Sequence, residues 1–264
     1  MIIRKMFSRS WIVATLLVVV AASVCVRLGI WQLDRLAETR AFNAHVYAVR
    51  AMQPLDLPAQ IDLTTMEWRA VHLSGTYDFE NQVAIRNQFN GDQFGYHLVT
   101  PLHLSDTSTA LTCTCGTGAG SASGTAVLVD RGWIPADGNS TPADWRKYDQ
   151  PGQVALSGII RLSEANPPLG GASDPTLTPD QTRLDFWIFV NVKRIGSQIP
   201  YPVLPVYIQV DSNPNQTDPP IPFQPTLDLS EGSHQSYAVQ WFSFAALFII
   251  GYSFYVNKQE SKKK

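Results

Sequence analysis

The sequence predicts a membrane protein in which two transmembrane helices flank one mostly antiparallel β (α+β) extracytoplasmic domain. Three observations carry this prediction. Apolar segments at Trp11 to Val26 and Tyr237 to Val256 stand near opposite ends of the 264 residues, the middle alternates short strand-like runs with turn residues, and positive charge gathers outside both apolar segments.

The first span, assigned to 11–31, has 16 unbroken apolar or small residues and continues past Arg27 through Leu28, Gly29, Ile30 and Trp31. That approaches the ~20 residues needed to cross ~30 Å of hydrocarbon. Its basic start and small residues at Ala21, Ala22 and Ser23 also fit a cleavable signal peptide, but the run continues as a helix rather than a cleavage site. The second span, 237–256, has 20 residues and no formal charge.

Lys and Arg near span ends are retained on the cytoplasmic side. Arg4, Lys5 and Arg9 precede the first span, and Lys258, Lys262, Lys263 and Lys264 follow the second. These are 7 of the 20 cations, so the segment from Arg27 to Asn257 keeps 13 against 21 acids, a net of −8 hidden within the overall −2. The expectation is a cytoplasmic N-terminus (1–10), a cytoplasmic basic tail (257–264) and an external domain (32–236). An acidic middle excludes a basic nucleic-acid surface and leaves membrane lipid as a partner. With no presequence visible before the first span, a bacterial plasma membrane is expected, with the mitochondrial inner membrane as the alternative.

After Trp31 the chain lacks Pro until Pro54, so the first helix is expected to run on to Arg50, with Leu28, Trp31, Gln32 and Arg35 on one face. Strands are expected at Trp68 to Tyr77, Gln82 to Asn87, Tyr96 to Leu104, Thr125 to Trp133, Gln153 to Leu162 and Pro205 to Val210. A short helix closing on Gly196 is expected within Phe186 to Ile199. Ser-, Thr- and Gly-rich 106–124 reads as a flexible loop, and Pro-rich 214–225 as an extended linker back to the membrane.

No Gly-x-Ser-x-Gly, phosphate-cradling loop, His-Glu-x-x-His or Cys-x-x-Cys occurs, so the expectation is a non-enzyme. Cys113 and Cys115 suit a soft metal such as Cu(I), or a strained local disulfide, and no further ligand sits nearby in sequence. Cys25 lies in the first span. His45, His72, His97 and His103 read as structural or surface residues. In the Arg131-Gly132-Trp133 turn, Gly132 permits a backbone angle closed to other residues, Trp133 packs, and Arg131 either faces a partner or forms an internal ion pair.

His234 differs by position. It stands just before the second span, and His234, Tyr237 and Trp241 fall on one face at spacings of three and seven. An imidazole there suits an axial heme ligand, or else an interfacial anchor of the aromatic-belt type. Arg27 and Arg35 emerge at similar height on the first helix and suit heme propionates, although Arg27 equally suits snorkelling to the interface.

Four blocks in order carry a resemblance that covers nearly the whole chain. Leu28-Gly29-Ile30-Trp31-Gln32-Leu33-Asp34-Arg35, Gly95 to Leu102, Val127-Leu128-Val129-Asp130-Arg131-Gly132-Trp133-Ile134-Pro135 and His234-Gln235-Ser236-Tyr237-Ala238-Val239-Gln240-Trp241-Phe242 resemble signatures of the surfeit-locus-one (Shy-one) family of cytochrome c oxidase assembly factors. The resemblance implies a non-catalytic biogenesis factor for the heme–copper centre of oxidase subunit I. It further implies heme a binding, with His234 as the iron ligand at a site shared with Tyr237, Trp241, Trp31, Arg27 and Arg35, and heme a synthase as a further partner. The chain departs from the family at three places: the Cys113 and Cys115 loop resembles an insertion, Asn191 stands four residues after Trp187 where the family shows Asp, and Gln235 replaces Leu. The alternatives are a cofactor-free membrane scaffold and a copper-handling protein acting through Cys113 and Cys115.

Overall fold

A computed structural model describes residues 6–57, 62–105, 125–164, 173–177, 181–223 and 227–262. The chain falls into two compact units, one formed by Met1–His45 with Leu227–Lys264 and the other by Val46–Thr226. The loop at 106–124 with Cys113 and Cys115, the end of the 214–225 segment, and the terminal cations Arg4, Lys5, Lys263 and Lys264 lie outside the described residues.

The first unit is built on α1 (Ile12–Arg50) and its partner helix near the C-terminus (His234–Lys262). At 1.5 Å per residue α1 extends roughly 58 Å, about twice a hydrocarbon core, so its polar second half must leave any membrane the first half enters. Both helices are long and apolar enough to cross a membrane. Neither resembles the core helix of a soluble protein, because only 22% and 11% of their most apolar windows are buried. Outward-facing Val13, Leu16, Leu17, Val20, Leu247 and Phe254 form rows that water would disfavour.

The second unit is a sheet of eight strands: β1 (Leu55–Asp56), β2 (Ala70–Tyr77), β3 (Val83–Asn90), β4 (Gln93–Leu104), β5 (Ala126–Pro135), β6 (Gln153–Leu162), β7 (Phe186–Trp187) and β8 (Val203–Val210). Their order is β1-β2-β6-β8-β5-β4-β3-β7, and β2 also pairs with β4. That extra pairing closes β2, β6, β8, β5 and β4 into a barrel, so these five strands have no free edge. Five pairings are antiparallel, while β1–β2, β5–β8 and β3–β7 are parallel.

Period-two alternation sorts the side chains. Val71 and Leu73 of β2, Val127 and Val129 of β5, and Val206 and Ile208 of β8 fill one core. Leu128 and Tyr207, on the opposite faces, pack with Val83, Ile85 and Trp187 in a second core covered by α2 (Val192–Gly196). Strands buried on both faces explain why β5 reads as a continuous apolar run.

The expected strands all form, with ends shifted by up to three residues. The expected helix closing on Gly196 is α2; the start of that stretch forms β7 instead, because Ala84 and Ile85 of β3 pair with Phe186 and Trp187. Asn191 caps α2 by accepting from Arg194 N at 3.1 Å, a role Asp fills equally well. The 214–225 segment is more than a linker. Ile221 exchanges both backbone hydrogen bonds with Trp133 at 2.8 Å, and Gln209 donates to the Phe223 carbonyl at 2.9 Å.

Candidate functional site

The C-terminal helix is α3 (His234–Lys262). Buried α1 residues Thr15, Ala22, Cys25, Gly29, Gln32, Leu36 and Asn43 recur at alternating spacings of three, four and seven. A stripe of that period forms a seam with an antiparallel neighbour. On α3 the matching positions are His234, Ala238, Trp241 and Ala245. Small residues let the backbones approach: a Cβ on Gly29 would stand 2.7 Å from the Phe242 ring. Trp241 packs against Ala22, Cys25 and Ala245.

Polar contacts close the seam at both ends. At one end the Thr15 and Tyr252 hydroxyls meet at 2.8 Å, and Trp11 Nε1 donates to Glu260 at 3.1 Å. Towards the other end Arg40 makes a two-pronged contact with Glu231 at 2.8 Å per bond, and Asn43 donates to the Leu229 carbonyl at 2.7 Å. Between these latter contacts and the apolar seam lies the pair that matters chemically. Nδ1 of His234 is 2.7 Å from Oε1 of Gln32.

An amide oxygen only accepts, so Nδ1 donates in this contact, and the neutral form of such a ring has its lone pair on Nε2. Metal-binding histidines use this arrangement, in which the second ring nitrogen is held by an outer acceptor. Gln32 is 9% exposed, His234 is half-buried, and no hydrogen bond occupies Nε2 among the described residues. These residues fit an axial heme ligand.

The remaining expected site residues separate. Three residues turn a helix by about 300°, so Tyr237 falls ~60° off the line of His234, whereas Trp241, two turns on, nearly returns to it. Tyr237 is accordingly half exposed while Trp241 enters the seam. Trp31 and Arg35 flank Gln32 on the exposed rim, with the guanidinium 5.9 Å from the Trp31 ring and 2.7 Å from Glu38. Arg27 is exposed and, two residues from both Cys25 and Gly29, falls opposite the seam stripe.

Sequence reasoning placed Gln32 on this face without giving it a role; its signal was a polar residue at an apolar heptad position. Arg40, Asn43 and Glu231 went unnoticed because their pairing spans 186 and 191 residues.

The other histidines are structural or superficial. His45 is exposed, His72 meets Ser157 at 2.9 Å, and the His103 and Tyr201 rings lie tilted at 55° with their centroids 4.3 Å apart. His97 is buried 2.9 Å from Asp130. Arg131 points to neither expected role: it is buried, lies over the Tyr77 and Phe79 rings at 5.0 and 5.2 Å, donates to the Tyr148 carbonyl and makes no salt bridge among the described residues. Also among the described residues, no group of three or more His, Cys, Asp or Glu could hold a metal ion.

A family model described as the SURF1 family matches residues 19–246. Surfeit locus protein 1 of Rattus norvegicus is 24% identical over 238 residues, covering 83% of this chain and 68% of its own length. A SURF1-like protein of Monosiga brevicollis is 26% identical over 245 residues, 88% of this chain and 83% of that one. A SURF1-like protein of Rickettsia bellii is 22% identical over 251 residues, 94% and 92% of the two chains.

Proposed function

This chain belongs to the SURF1 family, and from that premise we propose that it is a non-enzymatic membrane assembly factor for cytochrome c oxidase that holds heme a through His234 and passes it to subunit I. Heme a synthase is the expected donor. The observation that carries the reading is the 2.7 Å contact between His234 and Gln32, which fixes the tautomer an iron ligand needs.

The two apolar helices span the membrane, with both basic ends in the cytoplasm and the barrel unit outside. His234 then stands at the outer interface, where an apolar macrocycle is held without deep burial and leaves sideways. Heme a bound there would supply an iron for the His234 imidazole to ligate. Trp31 and Tyr237, both exposed, offer apolar edges. Arg35 is the cation available to a propionate, since its exposed pair with Glu38 contributes only ~0–1 kcal/mol and yields to a stronger anion. Arg27 faces away from the seam and serves as an interfacial anchor.

The test is made in cells that synthesise heme a. His234→Ala is expected to lower the heme a content of oxidase several-fold while the protein accumulates normally. A cofactor-free scaffold would instead tolerate His234→Ala and fail when Trp31 and Arg35 are replaced.

A further inference from the structure

The barrel unit contains a cavity of about 350 Å³ that the heme reading leaves unused. It lies within the lower end of the ~300–1,000 Å³ range of small-molecule sites. Its walls come from the end of β2, the middle of β5, the start of β6, the end of β8 and the extended segment tied to Trp133.

One side is polar. Arg131 and Tyr77 line it, and Arg131 is only 5% exposed. Nη2 donates to the Tyr148 carbonyl, whereas Nη1 is buried with no hydrogen-bond partner among the described residues. Leaving a charged donor unpaired in the interior is costly, so such an atom calls for an acceptor. Asp149 acts on Arg131 through its charge but makes no salt bridge with it among the described residues: one of its oxygens pairs with Arg146 at 3.4 Å and the other is buried without a hydrogen-bond partner. Tyr77 cannot neutralise it either, because burial pushes its hydroxyl up to about 12 and it stays protonated, a donor rather than an anion. Val154, Leu156, Val210 and Pro222 supply apolar surface to the lining, beside the polar Gln150 and Gln216.

We propose that this cavity binds a small monocarboxylate, its carboxylate on Arg131 and the Tyr77 hydroxyl and its apolar body against Val154, Leu156 and Val210. A carboxylate fits the planar fork of one guanidinium. A phosphate dianion would need a second cation, and among the described residues Arg131 is the only charged one in the lining.

The full-length protein in lipid nanodiscs is titrated calorimetrically with hexanoate and with hexanamide, its neutral isostere. The expected result is saturable binding of one hexanoate per chain, with hexanamide weaker by about tenfold or more, as loss of a charge-assisted hydrogen bond requires. Val154→Trp, which fills the half-buried apolar wall and leaves Arg131 in place, is expected to abolish binding while the barrel still unfolds in one cooperative transition, and Arg131→Lys to retain weaker binding. Absence of saturable hexanoate binding, equal affinity for hexanamide, or unchanged binding by Val154→Trp would each overturn the proposal.

Discussion

Gln32 and His234 lie 202 positions apart in sequence and 2.7 Å apart in space. Removing an outer hydrogen-bond partner of a ligating histidine typically costs 10–100-fold in metal affinity. Gln32→Leu is therefore expected to weaken heme a binding by roughly that factor, whereas Gln32→Glu, which keeps an acceptor oxygen, retains most of it; titration of the purified apoprotein reads the difference. Gly132 shows a different residue-scale constraint. Its φ is +118°, and a Cβ there would meet the Ile221 carbonyl oxygen at 2.2 Å, so Gly132→Ala should destabilise the barrel unit by roughly 3 kcal/mol in denaturant unfolding. The need for glycine was legible from the Arg-Gly-Trp turn, but the strand partner that makes it absolute was not, since Ile221 lies in a segment that reads as a linker. His97 carries the pH dependence. Burial disfavours its charged form, yet the charge of Asp130 and the hydrogen bond to it together outweigh burial and raise its pKa above 6.5. The native state thus binds this proton more tightly than the unfolded chain. The contribution is full below about pH 6.5 and is lost as pH rises through the raised value. The stability advantage over His97→Asn should shrink accordingly as pH rises above about 6.5. Asp62 and Asp144, held below the usual carboxylate range by hydrogen bonds from Thr64 and Thr141, act in the opposite sense and only at acid pH, where stability falls as they protonate.

Among the elements, the α1–α3 seam makes the sharpest prediction. Gly29 faces the outer edge of the Phe242 ring, a side chain that is itself partly exposed and free to swing aside. Gly29→Ala should be tolerated and Gly29→Leu should wedge the helices apart. Oxidative crosslinking of Ala22→Cys with Ala245→Cys, two positions in one buried cluster, measures this: the crosslink should survive Gly29→Ala and fall severalfold with Gly29→Leu. Both apolar helices were plain in the sequence because length and composition suffice to see them. Their seam was less so, since an apolar residue facing lipid and one facing a helix look alike, and within the buried stripe only Thr15, Gln32 and Asn43 break the run. Strands with clear alternation, such as Gln153–Leu162, were read to the residue. The two-residue β1 and β7 are too short for any period, and the Pro142–Tyr148 turn of helix carries its signal only at its start, in Thr141, Pro142 and Asp144, which holds the Thr141 backbone N–H at 2.9 Å.

For the molecule as a whole, an antiparallel β domain was visible but its closure was not. The barrel depends on β2 meeting β4 and on a parallel β5–β8 pair, contacts between strands that are not neighbours in sequence and so leave no local pattern. The same applies to the carboxylate cavity, which five separate segments line. What the sequence did carry at this scale is the family, through four blocks of which two, at α1 and at the start of α3, supply Gln32 and His234. The proposed function therefore depends on one side chain, His234, holding the cofactor. Its most direct test is the visible spectrum of the protein purified in mild detergent from cells making heme a, recorded beside His234→Ala. A heme a band in the wild-type protein that disappears in the variant is the predicted result; a colourless wild-type protein, or a band that survives His234→Ala, would contradict it.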